Sequence, residues 1–376
     1  MNETTELLTY SGIVEILENG KYGQIINPVR NGYVDVSDPY IAHDLLRRFS
    51  LRRGQKVDAH ILPRSNFPNP KVISIDRIDG LPIERVLERP NFSDLESIIP
   101  SKQLLLEHDN SSLSMRMLDL FCPLAKGQRG LIVAPPRTGK TLLLQDIARS
   151  LRINYPKIVV LVALIDERPE EVTDFKRSVD TELFASSNDQ STRNHIRIAE
   201  LACERAKHLV ELGHDVVLFI DSITRLARAY NKFGTSGHTM TGGIDAYALK
   251  KPRQLFASAR DCSDNGSLTI FASALIETGS KMDDLIFQEF KGTGNSEIVL
   301  NRSLAEQRVW PAIDLQASGA RHEEQILAPQ TLSQISFLRR AFSNMSTEEA
   351  TKSVIQRMSQ TQNNSEFLSL IKQLNK

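Results

Sequence analysis

The chain has 376 residues, with 46 basic and 46 acidic side chains balancing to zero formal charge. At roughly 150 residues per domain this is room for two domains, and the neutral balance excludes a uniformly basic nucleic-acid coat, so any RNA or DNA contact must use local patches. Apolar residues at 40% and charged residues at 24% exclude disorder, no apolar run reaches the ~18 residues of a membrane span, and the start MNETTELLTY lacks the pattern of a secretory signal, so a cytoplasmic protein with no membrane partner is expected.

Residues 1–80 read as five short strands: Tyr10–Leu17, Gln24–Asn27, Tyr33–Val36, Lys56–Leu62 and Lys71–Ile78. They are rich in Val and Ile and punctuated by Gly, Asn and Pro. A helical stretch, IAHDLLRRF, lies between the third and fourth. This predicts a small β-barrel, of OB or SH3-like type; strand count leaves both open. Residues 81–122 carry Pro82, Pro90, Pro100 and the polar run HDNSSLS. They are expected to form an ordered connector with little regular structure that wraps another domain. In residues 123–376 the apolar runs Leu131–Ala134, Ile158–Ile165, Val216–Ile220 and Leu268–Leu275 alternate with helical stretches such as TLLLQDIARSL and AELACERAKHLVEL. Near-continuous apolar strands joined by helices predict an α/β domain with a parallel sheet covered on both faces. The last 40 residues read as one or two amphipathic helices. Cys122, Cys203 and Cys262 form no CxxC pair and are odd in number, which predicts buried free thiols.

The strongest local motif is APPRTGKT, Ala134 to Thr141, which follows an apolar strand and opens a helix. A P-loop needs that context, because backbone N–H groups at a helix start cradle phosphate oxygens. The usual first Gly is Ala134 here. Lys140 is predicted to contact the β and γ phosphates of a nucleotide, and the Thr141 hydroxyl to bind Mg²⁺. The strand VVLFIDS delivers Asp221 at its C-terminal end, which fits a Walker B carboxylate orienting that Mg²⁺ or its water. A third strand, in ALIDERPEEV, ends in Asp166 and Glu167. Glu167 is assigned to polarise the attacking water, Asp166 to cap the following turn, and Glu170 and Glu171 to a solvated helix start.

The segments GQRGLIVAPPRTGKT, LIDERPEEVTD, DSITRLARAYN, TGGIDAYAL, ETGSKMDDLIFQEFKGTGN and RVWPAIDLQASGARHEE occur in that order. In them the chain closely resembles the bacterial Rho family of transcription termination factors, which are hexameric RNA-dependent ATPases and helicases. The resemblance implies a RecA-like P-loop ATPase core preceded by a small OB or cold-shock-like barrel. It implies ATP and Mg²⁺ as cofactors, a homohexamer, single-stranded nascent RNA as partner and contact with RNA polymerase complexes. Lys140, Glu167 and Asp221 match catalytic residues, and Arg321 matches an arginine finger that reaches into the next subunit's cleft. The implied nucleotide contacts further include Gly127, Gln128, Arg129, Gly130, Arg137, Thr138, Gly139, Thr141, Leu142 and Arg168. Arg308 looks like the finger's partner at the γ-phosphate, and Trp310 occupies the place of an aromatic that stacks on adenine.

The family threads RNA through a central channel lined by two loops, matched here by Gly234–Gly243 and Lys291–Asn295. Lys291 is the implied phosphate contact. His238 stands where the family usually has Lys, and Thr239 where it has a small aliphatic residue. On the barrel, Tyr22 matches the first of two alternating base-stacking aromatics, while Gln24 takes the second position. Tyr40 resembles a member of the cytosine pocket, with Arg47 and Arg48 beside it. Residues 1–80 hold ten acidic and ten basic residues, so this domain exerts no net pull on phosphate. Two other readings stand beside this one. One is another hexameric RecA-like motor; the other is a divergent RNA-binding regulator with weakened helicase coupling.

Overall fold

A computed structural model describes residues 7–17, 20–62, 69–86, 88–234, 243–245, 247–263 and 265–374. The N-terminal unit is built from β1 (Leu8–Leu17), β2 (Tyr22–Ile26), β3 (Tyr40–Ile41), α1 (His43–Arg48), β4 (Lys56–Leu62) and β5 (Lys71–Ile78). The strands pair in the order β3-β2-β1-β4-β5, and β5 returns to meet β3 in parallel at Tyr40 and Lys71. That closure makes a five-stranded OB-like barrel and decides against the SH3-like alternative. Alternate residues fill it: on β4, Val57, Ala59 and Ile61 point inward while the residues between them are more exposed.

The predicted strand Tyr33–Val36 is a loop. Its polar residues bond locally instead of joining a ladder: the Asp35 N–H donates to Asp38 Oδ2 (2.7 Å) and the Ser37 N–H to Asp35 Oδ1 (2.8 Å). The loop also leans on the second unit, where the Ala185 N–H donates to the Asn31 carbonyl at 2.9 Å.

The connecting segment holds more regular structure than its prolines suggest. It contains β6 (Leu81–Pro82), α2 (Ile83–Val86), β7 (Ser97–Ile98) and the nine-residue α3 (Leu113–Phe121). Its apolar side chains Phe92, Leu104 and Leu106 are buried in the cores of the following unit.

That unit contains β8 (Arg129–Ala134), α4 (Lys140–Asn154), β9 (Val159–Glu167), α5 (Pro169–Ser178), β10 (Glu182–Ser187), α6 (Thr192–Glu211), β11 (Asp215–Asp221), α7 (Ile223–Phe233), α8 (Lys250–Ala257), β12 (Arg260–Cys262) and β13 (Ser267–Leu275). It continues through α9 (Lys281–Lys291), β14 (Ser296–Val299), α10 (Arg302–Glu306), β15 (Gly319–Ala320), α11 (Glu323–Ile326), α12 (Pro329–Phe342), α13 (Thr347–Met358) and α14 (Asn364–Leu374). The sheet runs β10-β9-β11-β13-β8-β14-β15, parallel from β10 to β14, with β12 and β7 added antiparallel beside β13.

The continuous apolar runs arise because both faces are covered. On β9, Val160, Val162 and Leu164 enter one core while Leu161, Ala163 and Ile165 enter the other, which α6 shares. Gly130 lies under Phe271 so tightly that a Cβ would come 2.1 Å from the ring, so this strand position requires glycine. The last 40 residues hold the two whole helices expected, α13 and α14, together with the end of α12. They are tied back to α3 by Arg116, whose Nη1 donates to the Met358 and Thr361 carbonyls at 3.0 and 2.8 Å. All three cysteines are buried free thiols.

Candidate active site

In a parallel sheet the strand C-termini open onto one edge, and ligands collect there. Here β8, β9 and β11 bring Ala134, Glu167 and Asp221 to that edge. The P-loop leaves β8, and Gly139, with φ of 85°, turns the chain into α4. The Thr138 hydroxyl braces the loop by donating to the Pro135 carbonyl at 2.7 Å. Lys140 begins the helix, where free N–H groups favour anions.

Lys140 Nζ donates to Asp221 Oδ1 and stands 3.5 Å from Glu167 Oε1. Burial works against the ammonium, but the two carboxylates outweigh it and raise its pKa. Ser273 on β13 donates its hydroxyl to the same Asp221 oxygen at 2.6 Å. Asp221 is therefore fixed from two sides.

Glu167 is 2% exposed, and burial, followed by the Asp221 charge, pushes its carboxyl up to about 7. Its Oε1 is buried without a hydrogen-bond donor among the described residues, an acceptor available to a water. Its Oε2 lies 3.4 Å from Arg225 Nη2 on α7. Sequence reasoning missed Arg225, although it lies in the DSITRLARAYN segment, four residues after Asp221 and one helical turn into the cleft.

Asp166 does not cap the next turn. The N-cap position of α5 is Arg168, and no side chain caps it. Asp166 is instead the extra residue of a β-bulge. Ser186 pairs with Ile165 and Ser187 with Glu167, leaving Asp166 between them at φ of 57°. A bulge re-aims the side chain that follows it, here Glu167. Behind the bulge stands His195 of α6, with Nε2 3.7 Å from Asp166 Oδ1 and Nδ1 3.0 Å from the Ser186 hydroxyl. Burial lowers the His195 pKa, so the ring is neutral near pH 7.

A cavity of about 600 Å³ around this centre is lined by Arg137, Thr138, Gly139, Lys140, Thr141, Leu142 and Arg168, with Glu167 and Arg225 at its floor. Glu171, expected on a solvated helix start, also lines it. A second cavity of about 480 Å³ shares Thr138, Gly139 and Leu142 and is walled by Trp310 and Pro311. The Trp310 indole covers Gly139 so closely that a Cβ there would sit 2.9 Å from the ring. The two cavities have the chemistry of a phosphate half and a base half.

Four of the predicted nucleotide contacts lie elsewhere. Gly127 and Gln128 lead into β8 and Arg129 and Gly130 begin it, at the end away from the P-loop. At 3.3 Å per residue that is roughly 15 Å distant. Arg129 sits instead beside Arg321: the Arg321 N–H donates to the Asn295 carbonyl (2.8 Å), and the Arg129 N–H to the Asn295 side chain (2.8 Å). Arg321 is exposed and far from its own cleft. Arg308 is also exposed, at φ of 59°, and lines neither cavity.

On the barrel, the Tyr22 and Tyr40 rings stack at 5.5 Å and lie outside the barrel core. Gln24 is 8% exposed and offers no ring. Arg47 is exposed on α1. Lys291, at the end of α9, pairs with Glu297 of its own chain at 3.3 Å and lies over the Phe287 ring. His238 and Thr239 fall outside the described residues.

The ATP synthase alpha/beta family, nucleotide-binding domain, matches residues 114–320. A transcription termination factor Rho from Akkermansia muciniphila is 44% identical over 95% of this chain and 76% of its own length. The chain belongs to the Rho family of transcription termination factors. The Rho of Bacillus subtilis is 43% identical over 99% of this chain and 86% of its own. Membership carries an ATP-dependent transcription termination function, performed through an ATPase domain. Among solved structures, a type III secretion ATPase superposes with a TM-score of 0.62 at 21% identity, covering 76% of this chain and 88% of that one. An ATP synthase subunit from Nanoarchaeum equitans gives 0.61 at 18%, covering 74% and 77%. Those two likenesses speak to fold alone. Among the described residues no helix is long and apolar enough to cross a membrane.

Proposed function

We propose that this Rho-family ATPase is an RNA-dependent translocase of the cytoplasm. It assembles as a homohexamer, loads on nascent single-stranded RNA through residues 1–80, and acts on RNA polymerase complexes through residues 123–376. The observation that carries the reading is the separation of the cleft from Arg321. Lys140, Glu167 and Asp221 converge, while Arg321 is exposed on the opposite edge of the sheet with no ion-pair partner among the described residues. A finger turned away from its own nucleotide suits delivery to a neighbour's, and Gly127–Gly130 would flank it there.

Lys140 would hold the β and γ phosphates, exchanging its carboxylate contacts for them. Mg²⁺ fits the site as an ion shared with phosphate. The described residues offer no cluster of three His, Cys, Asp or Glu that could hold a metal, whereas the Thr141 hydroxyl and the Asp221 carboxylate flank the phosphate position. When bound, the ion would neutralise phosphate charge. Glu167 would orient the attacking water through Oε1, which accepts no hydrogen bond among the described residues, and take up its proton. Trp310 would stack on the base, and Arg321 of a neighbouring copy would offset charge that builds on the γ-phosphate. Tyr22 and Tyr40 would stack RNA bases, with Arg47 and Lys291 contacting phosphate.

Subunit mixing tests this reading. Lys140→Ala and Arg321→Ala rings should each be inactive. Mixed rings should regain RNA-stimulated turnover, because some clefts then combine an intact Lys140 with an intact neighbouring Arg321. Failure of mixing to restore any activity would overturn the shared cleft. Equal turnover of the native chain with and without RNA would overturn the translocase.

A further inference from the structure

Between the barrel and the ATPase domain lies a cavity of about 580 Å³ that the chemistry above does not use. Its wall is ionic and mostly satisfied. Glu15, 1% exposed, is gripped by Arg53 (2.6 Å) and Arg197 (2.8 Å). Arg53 also bonds Glu200 (2.8 Å), which accepts from the Tyr230 hydroxyl (2.7 Å). The lining as a whole has four basic side chains against two carboxylates. The excess is carried by Arg193 and Lys251, both exposed, and neither has an ion-pair partner among the described residues.

Two of its lining residues matter more than its volume. One is Leu17, which lies directly across the β1–β2 ladder from Tyr22, a member of the stacked tyrosine pair. The other is Phe233, a 58% exposed ring at the end of α7, immediately before the predicted channel loop that starts at Gly234. An exposed aromatic flanked by unpaired cations is the chemistry that holds single-stranded nucleic acid: a π face for a base and charge for the backbone. An acidic peptide would use the cations but not the ring.

We propose that this interdomain cavity is a relay subsite for single-stranded RNA. Arg193 and Lys251 grip phosphates and Phe233 stacks a base as the strand passes from the barrel toward the channel. The proposal rests on the RNA-translocase reading.

The test uses the full chain with ATP analogue and homopolymeric RNA. Both contact residues are on the surface, so Arg193→Ala/Lys251→Ala should fold normally. Its affinity for long cytidine homopolymer should fall about three- to thirtyfold. The slope of log affinity against log salt should shrink by about 1.4, at ~0.7 for each lost phosphate contact on a single strand. A dinucleotide, which reaches only the barrel, should bind as before. RNA carrying photoreactive uridines should crosslink to the peptide that contains Phe233. Unchanged affinity and salt slope in the double variant, or crosslinks that bypass this peptide, would overturn the relay while leaving RNA binding by the native chain intact. If the native chain itself fails to bind RNA, the translocase reading falls and the relay with it.

Discussion

Replacing Arg225 by Gln should move the acid limb of the ATPase pH profile upward. In the proposed mechanism Glu167 must be ionised to accept a proton, and Arg225 is one of two cations that favour its charge against burial and Asp221. Across the 3.4 Å between Nη2 and Oε2, the attraction is about 1 kcal/mol with the dielectric constant of water and about 5 kcal/mol at an effective value of ~20. At about 1.4 kcal/mol per pH unit, that brackets one to three and a half units. Arg225 is 27% exposed, so solvent screening favours the lower part of the range. The limb should therefore rise by about one to two units. The quantity to follow is kcat/KM against pH, which reports the free enzyme. Arg225→Lys keeps the charge and should restore most of the native profile. If Arg225→Gln lowers activity equally at every pH, its charge does not act on Glu167 and the electrostatic reasoning is wrong.

Three more outcomes are expected. Because the folded-state value of Glu167 lies above its ordinary 4.5, its ionisation costs stability as pH rises past that point. Glu167→Gln should abolish turnover yet raise Tm at about pH 8, the gain vanishing below about pH 4.5; a lower Tm at the alkaline pH would contradict the burial argument. Glu211, on α6, behaves in the opposite sense. Burial raises its carboxyl, but hydrogen bonds from His208, Arg52 and the Phe92 N–H outweigh it and hold it at about 2. The stability it contributes is present above its ordinary 4.5 and is lost as pH falls toward about 2. Hydrogen exchange at the Phe92 amide should accelerate across that window, and Glu211→Gln should bring the acceleration to neutral pH. An unaltered exchange rate would remove Glu211 as the clasp between barrel, connector and α6. Tyr22→Ala should cost ~1–3 kcal/mol of RNA affinity for each base it stacks, measured by fluorescence anisotropy on cytidine homopolymer, with Tyr22→Phe near native. Equal affinity for all three proteins would place base stacking elsewhere.

Much of the fold was legible because burial writes a pattern. The strands Lys56–Leu62 and Lys71–Ile78 could be read residue for residue, and β9, β11 and β13 announced themselves as apolar runs. β10 and β14 went unread because ELFASS and SEIV are short and partly polar. Tyr33–Val36 misled because its apolar residues suit a strand while Asp35, Ser37 and Asp38 close it into a turn.

In the cleft, the P-loop, Glu167 and Asp221 could be named from strand-end chemistry. What could not be seen was anything fixed by register or approach. The bulge makes Asp166 a spacer, and α7 carries Arg225 to Glu167. The resemblance put Gly127–Gly130 beside the nucleotide, but within one chain they lie before and at the start of β8, whereas the P-loop follows its end.

Lys140 and Arg321 hang from opposite rims of one hydrogen-bonded slab, since β8, β14 and β15 are consecutive neighbours. A slab of this kind tilts as a whole. In the proposed ring, a protomer that tightens around its own nucleotide would swing the Arg321 guanidinium, proposed to reach the next subunit, by the same rotation. Timing between successive catalytic events would then need no separate messenger: the sheet itself would be the crankshaft.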